Sequence, residues 1–78
     1  MKSRDKPLRY EPHAIRRLIQ RGIRPEQVEQ AVRRPDASRP ARRQGAKRLE
    51  KKLSATRRLI VIAEETLYFV RIWSAWYH

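Results

Sequence analysis

The sequence has no cysteine, only two histidines and two glycines, and only eight acidic residues among its 78. Without cysteine the chain can form neither a disulfide bond nor a thiolate zinc site, and two histidines with few carboxylates do not suggest another metal site. No apolar run approaches the roughly 20 residues that span a membrane, and the charged start does not resemble a signal peptide. We therefore expect a cytoplasmic protein with no cofactor, no metal and no membrane association.

Positive charge dominates what is present. Twenty Lys and Arg residues stand against eight Asp and Glu residues, which gives a formal net charge of +12. Such a field attracts polyanions, namely nucleic acid, an acidic protein or an anionic membrane surface. Arginine enrichment for solubility or heat tolerance is the alternative, but solubility does not require charges so unevenly signed. The length allows one domain, residues 1–78, with a small core.

Two amphipathic helices are predicted in the first half of the chain. The first begins with Pro12 at its first position and ends before Gly22, which can take a positive φ. Its apolar face consists of Ala14, Ile15, Leu18 and Ile19. Its polar face carries a row of His13, Arg17 and Arg21. The second helix begins at Pro25 and ends before Pro35.

Most of a sheet is predicted after residue 45. The segment 46–53 fits helical and strand periodicity about equally, and the hairpin loop expected at 54–57 favours a strand. The β-branched run 59–63 is typical of a buried strand, and 64–66 is predicted to be a turn. A last strand, 67–77, has two faces. One carries Leu67, Phe69, Arg71, Trp73, Ala75 and Tyr77, and the other carries Tyr68, Val70, Ile72, Ser74 and Trp76.

The remaining segments complete the predicted architecture. Residues 1–7 are expected to be a flexible basic lead-in, 8–10 a short edge strand, and 35–45 a mobile basic loop. The elements predict an α+β fold, in which two N-terminal helices pack on one face of a three- to four-stranded, mainly antiparallel sheet.

The order of these elements and one short motif carry a resemblance. The first helix opens with His-Ala-x-x-Arg at 13–17, and Arg-Gly-Ile at 21–23 leads into the second helix. In these features the chain resembles, over nearly its whole length, the RelE/ParE-like toxin superfamily of bacterial toxin–antitoxin systems. It is most similar to a small branch of that superfamily, a domain of unknown function. Arg24 departs from the pattern, since a Ser or Thr cap is usual there.

The resemblance implies a compact RNA-cleaving toxin that often acts on messenger RNA in the ribosome and is held inactive by an antitoxin. Some relatives bind a protein such as gyrase instead, and many have no known activity. The active residues vary across the superfamily, so the fold alone transfers no site to this chain.

A metal-independent ribonuclease uses the RNA 2′-OH as nucleophile and needs a base, a proton donor and cations around the phosphorane. His13 is the candidate base, with a hydrogen bond to a nearby turn as the equally weighted structural alternative. Tyr77 or His78 could donate the proton. Arginines and a lysine of the first long strand could hold the phosphate. The candidate catalytic residues are therefore His13, Arg17, Lys51, Arg71 and Tyr77.

Two of these assignments leave alternatives open. Arg71 interrupts an apolar row, so it either pairs with a carboxylate such as Glu50 or Glu64 or belongs to a concave phosphate site. The strand lysines project alternately to the two faces, and the strand register decides which of them reach Arg71.

A basic surface is predicted beside this site. Residues 33–58 hold eleven Lys and Arg against Asp36 and Glu50, which is typical of a surface that binds a nucleic-acid backbone. The aromatic end of the chain could stack on unpaired bases; we expect Trp73 in the core and either Trp76 or Tyr77 exposed. The candidate RNA-binding residues are Arg21, Arg42, Arg43, Lys47, Arg48, Lys52, Arg58 and Trp76.

Two functions are consistent with the sequence. The first is a toxin-like, metal-independent endoribonuclease that cleaves messenger RNA on or off the ribosome. The second is a small basic protein that binds nucleic acid or the ribosome without cleaving it. The expected partners are RNA or the ribosome and an acidic antitoxin that covers the helices or adds a strand to a free sheet edge. A homodimer is left open.

Overall fold

The computed structural model of the chain describes residues 6–78, which form two helices and five strands. In chain order the elements are β1 (Leu8–Tyr10), α1 (Pro12–Arg21), α2 (Pro25–Arg33), β2 (Ala37–Pro40), β3 (Ala46–Lys52), β4 (Arg58–Glu65) and β5 (Val70–Tyr77). Residues 1–5 of the predicted lead-in lie outside the described residues. Within residues 6–78, no helix is long and apolar enough to cross a membrane.

One sheet joins the strands in the order β1-β5-β4-β3-β2. β1 runs parallel to β5, and the other neighbouring strands are antiparallel. The predicted α+β fold with N-terminal helices is confirmed, but the sheet in the described part of the chain has five strands rather than three to four. The fifth strand comes from 35–45, which was predicted to be a loop throughout, because Ala37–Pro40 pairs with β3.

Both helices lie on one face of the sheet, where they enclose the hydrophobic core. α1 lies along β5, and α2 lies across β3 and β4. The core side chains are Leu18, Ile23, Val28, Ala31, Val32, Leu49, Leu59, Val61, Ala63, Val70, Ile72 and Ala75. Burial of this apolar surface is what holds the helices against the sheet.

The predicted apolar face of α1 is only half used. Ala14 and Leu18 are buried, whereas Ile15 is 47 % and Ile19 76 % exposed. The reason is the position of α1 beside β5, where β1 contributes only three residues to the sheet. One side of the apolar stripe therefore finds no strand to pack against.

The link between the helices follows the sequence signals. Gly22 ends α1 with φ of 65°, and its amide donates to the carbonyl of Ile19 at 3.2 Å. Ile23 and Val28 are both buried, as expected for a hydrophobic staple before α2. Arg24 caps α2 poorly, as predicted, and its amide instead donates to Gln27 Oε1 at 3.3 Å.

The second hairpin turn lies later than predicted. Glu64 and Glu65, assigned to a turn, still belong to β4, and the turn is formed by residues 66–69. Thr66 stabilises this turn, because its amide donates to the carbonyl of Phe69 at 2.8 Å and its hydroxyl accepts from the amide of Phe69 at 3.2 Å. The strand predicted at 46–53 and the loop at 54–57 are confirmed.

A bulge in β5 changes which of its side chains face the helices. Ile62 pairs with Ser74 while Ala63 pairs with Ile72, so Trp73 is an extra residue. An extra residue shifts the alternation of side chains by one position. Val70 and Ile72 therefore face the core before the bulge, and Ala75 and Tyr77 face it after the bulge. The predicted common face of Arg71, Trp73, Ala75 and Tyr77 is wrong for this reason.

The lead-in is not loose where the structure describes it. Lys6 is buried, and its ammonium group donates to Glu65 Oε2 at 2.7 Å and to the carbonyl of Thr66 at 2.8 Å. Arg33 of α2 donates in turn to the carbonyl of Lys6 at 2.8 Å. The prediction of a flexible segment is therefore wrong at Lys6. In β1, burial raises the pKa of the Tyr10 phenol above its usual value.

Candidate nucleic-acid interface

The sheet surface that faces away from the helices is called the open face here. The register defines its side chains, because paired residues of neighbouring strands share a face. One row of paired residues that crosses it is Arg39, Arg48, Ile62 and Ser74. A second row is Glu50, Ile60 and Trp76. This face thus combines cationic, aliphatic and aromatic side chains.

A depression of about 490 Å³ lies on the open face. Ile62 and Trp76 supply its apolar part, and the guanidinium carbon of Arg48 lies 5.7 Å from the centre of the Trp76 ring. Its lining includes four arginines, namely Arg39, Arg42, Arg43 and Arg48. An aromatic surface bordered by cations suits a base with a phosphate on either side.

Trp73 is the centre of a second group of side chains. Its ring is stacked with the guanidinium group of Arg43, whose central carbon is 3.6 Å from the ring centre. Arg71 lies 5.4 Å from the same ring, and the imidazole of His13 lies 6.5 Å from it. The expectation that Trp73 belongs to the core is wrong, because Trp73 follows the core residue Ile72 in β5 and therefore faces the open side, where it is only partly buried.

The two groups belong to one aromatic row on the open face. The row consists of Phe69, Trp73 and Trp76, and each ring has an arginine within 6 Å of its centre. Phe69 itself lies 5.4 Å from Arg9 and 5.5 Å from Arg71. Cations over aromatic rings stabilise each other's positions by about 0.5–1 kcal/mol at exposed sites. The rings of the row and their arginines therefore lie on the same face of the sheet.

Two predicted catalytic residues meet at this row. His13 lies exposed in the first turn of α1, and Arg71 projects from β5 beside it. Arg71 does have a carboxylate partner, but it is Glu11, at 3.3 Å between Nε and Oε1, rather than Glu50 or Glu64. Arg71 therefore remains next to Trp73 with part of its charge neutralised.

Lys51 and Tyr77 lie on the helix side of the sheet, away from the aromatic row. Leu49 must face the core, and Lys51, two residues later in β3, shares its face. Its ammonium group donates to the carbonyl of Arg34 at 2.9 Å. The hydroxyl of Tyr77 donates to Gln27 Oε1 at 2.7 Å. The structure does not bring these two groups to the site.

The three residues of the predicted polar row of α1 do not reach the same place. Arg21 donates to the carbonyl of Ala75 at 2.6 Å and thus holds α1 to the part of β5 that lies beyond its pairing with β1. Arg17 is exposed between Arg21 and His13. Only the His13 end of the row reaches the aromatic side chains.

The remaining predicted RNA-binding residues are divided between the two faces of the sheet. Lys47 shares the helix side with Leu49. Lys52 stands opposite Arg58 in the strand register, at the far end of the open face. Arg58 forms an ion pair with Glu50 at 3.6 Å. Three members lie at the depression itself, namely Arg42, Arg43 and Arg48.

Neither Arg39 nor Glu64 was among the residues assigned to the site from the sequence. Arg39 reaches the open face because 37–40 is a strand rather than a loop. Glu64 accepts a hydrogen bond from Trp73 Nε1 at 2.9 Å, and it would have been found only with the longer β4 and the bulge. One signal for an arginine–aromatic surface was available in the sequence, since Phe69, Arg71 and Trp73 stand at every second position of the last strand segment.

A larger depression, about 680 Å³, lies beside α2 on the helix side. Its lining mixes Glu26 and Glu29 with Arg33, Arg34 and Lys51, so it offers no surface of one sign. Within residues 6–78, no three His, Cys, Asp or Glu side chains come together as a metal site. The open face is therefore the better candidate site for a polyanion.

Comparisons of the chain with protein-family models, with curated proteins and with solved structures give no match. The proposal of nucleic-acid binding below therefore rests on the geometry of the open face, and the choice of RNA rests on the sequence resemblance.

Proposed function

We propose that the protein binds single-stranded RNA on the open face of its sheet. The observation that carries this proposal is the depression in which Trp76 is surrounded by four arginines. Unpaired bases stack on aromatic side chains, and arginines bind the phosphates between them with charge-assisted hydrogen bonds. The net charge of +12 would add a long-range attraction for the strand.

An unpaired strand suits this surface better than a duplex. The bases of a duplex are stacked on each other, so the aromatic row would gain no contact with them. The choice of RNA over DNA rests on the resemblance to RNA-cleaving toxins. A DNA strand of the same sequence tests that choice directly.

A binding experiment with one aromatic substitution tests the proposal. Trp76→Ala should weaken the affinity for a short unstructured RNA by about 1–3 kcal/mol, the usual contribution of one stacked base. Fluorescence anisotropy of a labelled oligonucleotide measures the change. Tyr68→Ala is the matched control, since Tyr68 is an exposed aromatic residue in the β4–β5 turn, away from the depression. Equal effects of the two substitutions would contradict the proposal.

A second function, cleavage of the bound RNA, is favoured by the position of His13 beside Trp73 and Arg71. In this proposal His13 takes the proton of a 2′-OH, and the 2′-oxygen attacks the adjacent phosphorus. The bond to the 5′-oxygen breaks, this oxygen takes a proton from water, and a 2′,3′-cyclic phosphate remains. Arg43 and Arg71 would stabilise the charge of the phosphorane.

The histidine substitutions separate binding from cleavage. His13→Ala should lower the cleavage rate by about 10²–10⁴-fold, the usual effect of one general base, with RNA affinity unchanged. His78→Ala, which removes the other histidine of the chain, should leave both quantities unchanged. The readout is the appearance of cyclic-phosphate ends on a labelled RNA in the presence of a chelator. Cleavage that survives His13→Ala would exclude His13 as the base.

We propose a toxin–antitoxin system in the cytoplasm as the setting of this activity. The resemblance supports a toxin that acts on messenger RNA, with the ribosome as one location. The strong positive charge supports an acidic antitoxin as the partner that holds it inactive.

A further inference from the structure

Glu64 is an unusual side chain for the centre of an RNA-binding surface. It is partly buried on the open face, where a carboxylate repels phosphate. Although Lys and Arg outnumber Asp and Glu by 20 to 8 in the sequence, no described cation lies within ion-pair distance of Glu64. Arg71, directly opposite Glu64 in the register, is paired with Glu11 instead.

Only one oxygen of this carboxylate has a described partner. Oε1 accepts the hydrogen bond from Trp73 Nε1, at 2.9 Å. Oε2 has no hydrogen-bond donor among residues 6–78, and it is at least partly exposed to solvent. Each carboxylate oxygen can accept two hydrogen bonds, so Oε1 also keeps acceptor capacity. The edge of the Trp73 ring is therefore bordered by strong acceptors.

The Trp73 ring already holds a planar group in van der Waals contact. The guanidinium of Arg43 lies over the ring at 3.6 Å, which is within the range of optimal contact between carbon atoms. Within the described residues, Arg43 has no side-chain hydrogen bond and no ion pair that would hold it there. A planar base can therefore take its place over the ring and leave Arg43 for a phosphate.

We propose that Trp73 and Glu64 form a base-binding site selective for guanine. Glu64 Oε1 lies at the edge of the Trp73 ring, so the carboxylate has to turn by one stacking distance, roughly 3.5 Å, to meet the edge of a base stacked on the ring. Guanine has two adjacent donors on its Watson–Crick edge, N1–H and the N2 amino group, and these match the two oxygens of a carboxylate. Adenine and cytosine place an acceptor beside their single amino group, and uracil places acceptors on both sides of its imino group. The other three bases thus bring an acceptor against the carboxylate.

This inference rests on the proposed RNA binding and adds a base preference to it. The Trp76 depression has arginines but no carboxylate in its lining, so it would hold any base. The two rings are three residues apart in β5, about 10 Å along the strand. A strand that follows the aromatic row can therefore contact both, with guanine selected at Trp73 only.

Three pentanucleotides test the base preference. They are UUGUU, UUAUU and UUIUU, in which inosine keeps the N1–H of guanine but lacks its N2 amino group. The wild-type protein should bind UUGUU about tenfold more tightly than UUAUU, the discrimination typical of one two-bond base contact. UUIUU should fall between them. Anisotropy titrations at one salt concentration measure the three affinities.

Glu64→Gln should reduce the difference between UUGUU and UUAUU to less than twofold. The amide oxygen can still accept from Trp73 Nε1, so the ring keeps its orientation. Glu50→Gln is the control, since Glu50 is the open-face carboxylate that is paired with Arg58; it should leave the preference unchanged.

Three results would overturn the inference. Equal binding of the pentanucleotides by the wild-type protein would show RNA binding without a guanine site. A preference that persists in Glu64→Gln would mean that another group reads the base. Binding of none of the pentanucleotides would instead contradict the RNA-binding proposal itself, and the guanine site with it.

Discussion

At the scale of single residues, Lys6 links the start of the described chain to the end of β4 and the turn that follows it. Its buried ammonium group bonds to Glu65 and to the carbonyl of Thr66, and its own carbonyl accepts from Arg33. β1 is only three residues long, so its parallel pairing with β5 depends on such contacts. We infer that this lysine helps the strand pairing to fix the position of β1.

Lys6→Ala should lower the free energy of unfolding by about 1–3 kcal/mol, because it removes two hydrogen bonds of a charged group from a buried position. The Glu65 side chain is nearly half exposed and stays solvated, which keeps the loss below that of a fully buried pair. Urea denaturation followed by circular dichroism measures the change. Lys52→Ala, an exposed lysine, is the control; equal stability of the two variants would contradict the prediction.

Some site residues could be placed from the sequence alone, and others could not. His13 was placed on the polar face of a helix by its spacing, and the structure puts it at the aromatic row. Lys51 could have been assigned to the helix side from the sequence, since Leu49 shares its parity in β3. The partner of Arg71 could not, because Glu11 is 60 positions away and approaches only when β1 pairs beside β5.

At the scale of elements, α1 depends on how it ends. Gly22 has φ of 65°, and a Cβ at this position would have no atom within 4 Å. The only cost of a side chain there is the left-handed backbone conformation itself.

Gly22→Ala should therefore destabilise the protein by about 1–2 kcal/mol, with no change in structure. Thermal unfolding gives the loss, and retention of RNA binding shows that the open face is intact. Gly22→Asn should recover part of the stability, since asparagine tolerates this conformation. A larger loss in Gly22→Asn than in Gly22→Ala would contradict the explanation.

The helix bounds and the positions of β3 and β4 followed from local signals, but the face of β5 did not. Proline, glycine and apolar spacing marked both helices, and the β-branched run marked β4. The bulge at Trp73 depends on how β4 and β5 pair, which is a long-range property. A single extra residue put Ala75 and Tyr77 on the core side, although Arg71 and Trp73 face away from the core. β2 was missed because none of its residues is buried, so its sequence shows no alternation of apolar and polar residues.

At the scale of the whole molecule, the sheet separates two chemical surfaces. The helix side holds the core, and the acidic residues Glu26, Glu29 and Asp36 lie with α2 and the segment after it. The open face holds the aromatic row with its arginines. A strand of RNA would therefore meet a surface that combines stacking rings with cations on one face only.

Two neighbouring cations of β3 test this separation most directly. Arg48 lies on the open face beside Trp76, and Lys47, the residue before it, lies on the helix side. Arg48→Ala should weaken RNA binding and lower the slope of log affinity against log salt by about 0.7, the value for one phosphate contact of a single strand. Lys47→Ala should leave the slope unchanged. Equal slopes in Arg48→Ala and Lys47→Ala would show that RNA follows the net charge of the protein and not its open face.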